Sequence, residues 1–445
     1  MTFKMNRQDK VFIGTIVLVH LVYFLLACRF TRIYMGDSFE YIYEALNIKD
    51  RFFFYSGNPS LPISPEYMTQ RQPGYPLFLL MVYIFTVNNW IVIALQNLLS
   101  IFNIYYCRKI LSNVGYAKKY DWLLLLLLVA YPAQFINANT IAPDILLQTF
   151  TLLYLGYFLQ LWHTRSIHSA GYMSIILVAG MMVKPVLYPF ALVHIVLVTA
   201  LFIYWKAKLQ RPLLVAALPL CAVLLYNYSN YTRTGKFHFS SNQSFNAIFY
   251  FYSYTSAKNG ADSADHFLRK ERAAISSIPE YKERYDYAND RGKQLLADNF
   301  VPYMWFHLRN SARIFVEPGK AEMDLFTGSL TYGGLHDKTQ TGFYTTLKTR
   351  GISGISGYAD RNPSFLFAVL VFLFNCIRAV GLLLFLVNKR IDIPLRIFIF
   401  ILLAYFAVAA GPIANTRYFL PVSLIAIGCA GTGYITLLQK KETSA

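Results

Sequence analysis

The chain has 445 residues, of which 56% are hydrophobic and only 14% charged, and its net charge is +18. Soluble domains carry about 25% charged residues, so this composition excludes an ordinary soluble domain and fits a polytopic helical membrane protein. The basic excess does not indicate a nucleic-acid binder, because most Lys and Arg clusters sit in short loops beside apolar runs, where they fix orientation.

The first apolar run, 11–28, follows Lys4, Arg7 and Lys10, which places the start of the chain in the cytoplasm. Residues 29–72 are polar and aromatic and are expected outside. They contain an acidic cluster, Gly36-Asp37-Ser38-Phe39-Glu40, and end in Arg71-Gln72-Pro73-Gly74-Tyr75-Pro76. The next apolar stretch, 75–87, falls short of the ~20 residues a span needs. Read as a half-buried helix, it leaves Arg108-Lys109 and Lys118-Lys119, after the run 90–107, in the cytoplasm. Spans are then expected at 122–138, 145–162, 172–183, 187–205 and 213–226. Asp144, Lys184 and Arg233 fall at external ends.

Residues 227–363 are mostly polar and lie outside by parity. They are read as helical from 261 to 315, with an interfacial helix opening at Pro302 and a glycine-rich mobile loop over 319–357. Three last spans follow at 365–387, 397–410 and 419–438, with Arg417 just before the third. The fold class is therefore an all-α polytopic membrane protein with about ten spans, interfacial helices and an external segment. Three units are expected: 1–228 (transmembrane module with the first external loop), 229–363 (external, periplasmic segment) and 364–445 (C-terminal spans). The five cysteines lie in or beside apolar runs without pairing motifs and read as inert thiols.

Chemistry is expected at the external ends. Asp37, Glu40, Arg71, Asp144, Lys184, Arg233 and Arg417 gather on one side of the membrane, where charges are costly unless paired or used. Cations beside a carboxylate suit a phosphate-bearing lipid and a proton acceptor. Each residue also has a plainer reading. Lys184 and Arg417 can snorkel to headgroups. Asp144, after Pro143, can cap its helix, and Asp37-x-x-Glu40 resembles a capping box that would serve a helix reaching past Glu44. The eight His residues form no HxxxH or HExxH array, so no motif supports a metal, and whether a divalent cation takes part stays open.

The ordered set of short motifs resembles the GT-C glycosyltransferases, in particular the bacterial group related to protein mannosyltransferases and the lipid A aminoarabinose transferase. The pieces are Asp37, Arg71 to Pro76, Tyr131-Pro132 followed by Asp144, Val183-Lys184-Pro185, Asn230 to Gly235, and Thr416 to Pro421. Asp-Ser stands where the group has Asp-Glu, and Asp144 where a Glu is common. The resemblance implies transfer of a sugar from a polyprenyl-phosphate donor to a hydroxyl of a glycan, lipid or protein acceptor. It implies inversion, no nucleic acid, and a place among the lipids of a bacterial inner membrane with the site facing the periplasm. Asp37 and Asp144 would then be the catalytic acids, with Glu40, Arg71, Tyr75, Lys184, Arg233 and Arg417 holding substrate. An envelope polysaccharide polymerase or ligase using a diphosphate-linked glycan shares the many spans, the large external loop and the external arginines. A transporter of lipid-linked substrates is a third reading, against which the charges count, because they sit at external span ends and not at mid-membrane.

Overall fold

A computed structural model describes residues 7–329, 351 and 353–442, and the described residues form helices, turns and loops without strands. In chain order the helices are α1 (Arg7–Phe30), α2 (Ser38–Arg51), α3 (Gly74–Tyr83), α4 (Asn89–Ser112), α5 (Asp121–Val129), α6 (Pro132–Ala138), α7 (Asp144–Thr164), α8 (Ile167–Val183), α9 (Phe190–Tyr204) and α10 (Gln210–Thr234). They continue with α11 (Gln243–Asn259), α12 (Ala261–Ser276), α13 (Tyr281–Asp298), α14 (Phe300–Ser311), α15 (Lys320–Thr327), α16 (Gly354–Arg361), α17 (Phe365–Val387), α18 (Ile393–Ala410) and α19 (Thr416–Glu442).

Among the described residues seven helices are long and apolar enough to cross a bilayer: α1, α4, α7, α10, α17, α18 with the turn after it, and α19. The other three expected spans are present in altered form. The run 122–138 is not one rod: it bends by 69° between α5 and α6. Pro132 cannot donate to the preceding turn and disfavours helix at Tyr131, so the break falls there. Arg378 of α17 covers the opened turn, donating to Leu127 O at 3.3 Å and Ala130 O at 2.9 Å, with its guanidinium 5.0 Å from the Tyr131 ring centre. The remaining two, α8 and α9, have 17 and 15 residues.

The short run after Arg71 is indeed a short helix, α3, of 10 residues. The polar region is helical where expected, as α12, α13 and α14. On α14 an apolar stripe (Phe300, Val301, Met304, Trp305 and Leu308) faces outward, as an interfacial helix requires. Two boundaries differ. The helix expected at 213–226 runs on as α10 to Thr234, past the unit boundary read at 228, and Gly235 ends it at φ +73°. The glycine-rich stretch read as loop begins and ends in helix, α15 and α16, and its middle lies outside the described residues.

The central helices are α7 and α19. In its membrane-crossing stretch α19 is 83% buried, packed against α17, α7, α4 and α18. Small residues allow the closest crossing: a Cβ on Gly433 would stand 2.2 Å from Gly381 O of α17. Buried amides sew this centre together. Gln148 of α7 and Gln134 of α6 exchange hydrogen bonds at 2.9 Å, and Gln148 also donates to Leu420 O of α19 at 2.7 Å. Asn103 of α4 donates to Ile145 O at 3.1 Å. Such groups have no water to turn to inside a bilayer, so each partner found fixes a register.

Gln148 lies one turn beyond Asp144, and Leu420 nearly one turn beyond Arg417. Their bond therefore sets the heights at which Asp144 and Arg417 meet. Gln148→Leu is expected to lower unfolding stability by about 1 kcal/mol. Thermal unfolding of the purified variant checks this; an unfolding temperature equal to that of wild type would show that the amide network does not hold the helices in register.

Candidate active site

Six charged side chains meet above the ends of α7, α8 and α19. Each is brought there by a local device. Asp37 occupies the position before α2, yet its side chain makes no capping bond. The loop that carries it is tied to the loop before α7 instead. Ile141 N donates to Ile33 O at 2.8 Å, and Ser38 Oγ donates to Ile141 O at 2.7 Å while accepting from Met35 N at 2.7 Å. Asp144 follows Pro143 as the first residue of α7 and likewise caps nothing. Lys184 ends α8 in an extended conformation (φ −150°, ψ 133°), as the residue before Pro185 must leave the helical region. Arg417 sits in the first turn of α19, where Asn415 Oδ1 accepts its backbone N–H at 2.8 Å. The preceding turn holds Ala414 at φ 44°, a left-handed conformation that costs a non-glycine residue about 1 kcal/mol or more.

The geometry is a chain of alternating charge. Arg417 donates from both terminal nitrogens to Asp37, at 3.0 and 2.8 Å, and from Nε to Asp144 Oδ2 at 2.6 Å. Lys184 Nζ donates to the other Asp144 oxygen at 2.6 Å and lies 4.9 Å from the ring centre of Tyr418. Arg71 stands 3.8 Å from Asp37, is held by Glu40 through Nε at 2.5 Å, and covers the Tyr41 ring at 5.0 Å. Three carboxylates thus balance three cations. Asp144 is fully buried and the other five are partly so. In this setting fork-shaped pairing is what makes burial of charge tolerable.

Burial would push the Asp37 carboxyl up, but the charges of Arg417 and then Arg71 outweigh it and hold Asp37 well below the usual carboxylate range. Glu40 goes the other way: burial raises it, and Arg71 offsets this only in part. Glu44, one turn further along α2, is buried, and among the described residues its Oε2 has no hydrogen-bond partner. Burial pushes it up to about 8, against the pull of Arg233 and Arg71. A carboxyl raised on folding stabilises the fold below its unfolded value of about 4.3, and that contribution is lost as pH rises toward 8. Glu44→Gln is therefore expected to flatten the thermal stability between pH 4.5 and 8 and to exceed wild type at pH 8. A variant whose unfolding temperature tracks wild type across that range would contradict this.

The cluster forms one end of a cleft of about 760 Å³, within the usual range of small-molecule sites. Asp37, Arg71, Lys184 and Arg417 line its charged end, and Tyr188, Gln243 and Asn246 a polar side. The lining also includes an apolar set, Val193 of α9 and Phe400, Ala404 and Val408 of α18. Phe400 and Val408 are also exposed, so this apolar part of the lining reaches the outer surface of the helices. Among the described residues no three His, Cys, Asp or Glu side chains form a metal-holding group.

Of the residues singled out in the sequence, Asp37, Glu40, Arg71, Asp144, Lys184 and Arg417 come together. Two do not. Tyr75 points into the protein, fully buried, its hydroxyl on Gln96 Oε1 and its ring edge-on to Tyr41 at 5.1 Å, so it supports the wall and does not touch the cleft. Arg233 turns back onto Asn230 of its own helix at 2.5 Å and faces Glu44. Sequence reasoning missed Tyr418, Tyr188, Gln243 and Asn246. Tyr418 adjoins Arg417 and Tyr188 lies four residues after Lys184, whereas Gln243 and Asn246 line the cleft because α11 packs beside the turn after α18.

No family model and no curated protein matches the chain. Among solved structures it aligns with the archaeal oligosaccharyltransferase AglB from Archaeoglobus fulgidus, in complex with an inhibitory peptide and a dolichol-phosphate. That alignment has 12% identity, a TM-score of 0.45, and covers 96% of this chain and 50% of AglB. It also aligns with ArnT from Cupriavidus metallidurans bound to undecaprenyl phosphate, at 13% identity and TM-score 0.38, over 96% of this chain and 78% of ArnT. The chain spans about half the length of AglB. At these scores both are loose likenesses of overall arrangement, and the functional reading rests on the cleft itself.

Proposed function

We propose that the chain is a membrane glycosyltransferase of the GT-C type that moves a sugar from a polyprenyl-phosphate carrier to an acceptor hydroxyl, with inversion, at the outer face of a bacterial inner membrane. The observation that carries this reading is the polarity of the cleft. Its lining combines three cations around two acids with an apolar set from α9 and α18 that reaches the outer surface. That is the shape of an amphiphile with a phosphate head and a hydrocarbon tail.

In the resting site Asp37 and Asp144 saturate Arg417. An entering lipid phosphate competes for Arg417 and Arg71, and so weakens the positive field that holds the Asp37 carboxyl low. The base becomes stronger as the donor binds. The acceptor oxygen then bonds to the sugar C1 on the face opposite the leaving group. The C1–O bond to phosphate breaks, its electron pair stays on the phosphate oxygen, and the acceptor proton passes to Asp37. Lys184, Arg71 and Arg417 stabilise the charge that grows on the departing phosphate. Asp144 keeps Lys184 and Arg417 aimed at it.

The test supplies the purified chain with undecaprenyl-phosphate hexoses and measures sugar release. Ala404→Trp, which crowds the apolar part of the lining, should raise the KM for these lipids at least tenfold and leave short-chain citronellyl-phosphate sugars nearly unaffected. Release only from diphosphate-linked glycans would replace the proposal with a polymerase or ligase.

A further inference from the structure

A second pocket, of about 220 Å³, adjoins the cleft, and Asn242 lines both. Its walls include Glu66, Gln70, Ser241, Ser244, Tyr281 and Arg284. The loop 69–72 that carries Arg71 also forms this pocket. Ser241 N donates to Thr69 O at 3.3 Å, Gln72 Nε2 to Phe239 O at 3.3 Å, and Thr69 and His238 share a hydrogen bond at 2.8 Å. Gln70 and Arg71 therefore face different ways from one rigid edge, Gln70 toward this pocket and Arg71 toward the cleft.

The polar atoms here differ in kind from those of the cleft. Arg284 is taken up by Glu66 at 3.2 Å, so an incoming anion meets a cation already paired. What the pocket presents instead is neutral hydrogen-bonding groups, among them the side chains of Asn242 and Tyr281. Among the described residues Gln70 Oε1 is enclosed without a partner, while its amide nitrogen reaches Glu40 at 3.3 Å. The hydroxyls of Ser241 and Ser244 spend their protons on the carbonyls of Glu66 and Ser241, at 2.8 and 3.1 Å, which leaves their oxygens as acceptors. Tyr285, which stacks on His238 at 5.0 Å, and Tyr281 add aromatic surface. A cavity of neutral donors and acceptors with aromatic walls, whose one lining cation among the described residues is already paired, selects an uncharged ligand rich in hydroxyl groups.

We infer that this pocket binds one sugar ring of a glycan acceptor and holds it so that a neighbouring hydroxyl enters the cleft beside Asp37. The carbohydrate site stands on the pocket's own chemistry; its role as the acceptor site rests on the transferase reading. Gln70 then serves both sides, accepting from the ring while its amide touches Glu40.

The test uses the full chain in nanodiscs with a panel of neutral methyl hexosides as probes, read by saturation-transfer NMR. Ile275→Trp fills the pocket from α12, and Glu66→Gln removes the charged acceptor and the ion pair. Both should reduce the methyl hexoside signal at least fivefold while undecaprenyl-phosphate binding stays within twofold of wild type, which also reports that the variants are folded. Where transfer is measurable, both should raise the acceptor KM tenfold with the donor KM unchanged. The inference is overturned if no methyl hexoside binds wild type, if both variants bind them normally, or if Ser/Thr peptides occupy the pocket in their place. Loss of undecaprenyl-phosphate binding in wild type, with hexoside binding retained, would instead remove the transferase reading and leave the carbohydrate site standing.

Discussion

Arg417→Ala is expected to abolish transfer and to give the largest loss of stability of any substitution at the site. Its guanidinium makes three hydrogen bonds to two acids that lie 380 and 273 residues away in the chain. Asp144 is fully buried and would keep only Lys184; Asp37 would keep only the looser contact with Arg71. Breaking a buried pair by removing one partner costs about 3–5 kcal/mol, because the other charge stays behind. Removal of one preorganised group that stabilises developing charge lowers kcat by about 10²–10³. Arg417→Lys separates the two effects. Its single ammonium restores charge, but it cannot bond both acids in the same planar geometry. Stability should recover in part and turnover should not. Unfolding temperature in detergent and sugar release measure both, and an alanine variant as stable and active as wild type would remove Arg417 from the centre of the site.

Asp37→Asn is expected to have the second-largest effect, and in a different pattern. The amide keeps the shape of the carboxylate, so the folded geometry should change little, while the stability that pairing with Arg417 and Arg71 gives above about pH 4 is lost. Turnover should drop by about 10²–10⁴, the usual contribution of a positioned acid or base. Affinity for undecaprenyl phosphate should rise severalfold, because the anion that competes for Arg417 and Arg71 is gone. A fall in kcat together with tighter lipid binding distinguishes this role from a structural one. The pH dependence is also set. The folded-state pKa of Asp37 lies below its unfolded value of about 3.9, so its contribution to stability is present above about pH 4 and is lost as pH falls through the folded value. Wild type and the Asp37→Asn variant should converge in stability in strong acid. Near-normal turnover of that variant would sink the assignment.

The apolar runs made the membrane helices legible, because a bilayer rewards length and composition whatever the neighbours are. Hydropathy does not register a bend, and Pro132 alone did not reveal that 122–138 turns by 69°; that depends on Arg378 reaching across from α17. The charged residues of the site could be named for a similar reason, since a charge near lipid must have a partner or a use. Which charges pair is a matter of helix height and rotation. Tyr75 shares a motif with Arg71, yet α3 turns it toward Gln96, and Arg233 sits at the right end of α10 but faces its own Asn230. The cleft wall from α11 and the second pocket were not legible at all. Their residues are ordinary Asn, Gln, Ser and Tyr, and only packing between distant segments makes them a surface.

The separations within the charge cluster also govern how the protein is made. During synthesis Asp37, Arg71, Asp144 and Lys184 all emerge before Arg417, which lies in the last of the described helices. Until α19 inserts, Asp144 has one cation and Asp37 lacks its fork. Contacts this remote in sequence close late and with a large entropic cost. A partly made chain is therefore acid-unbalanced at the mouth of its own cleft, and the arrival of one arginine both completes the site and locks the bundle. Assembly of the bundle and completion of the charge cluster therefore become the same event.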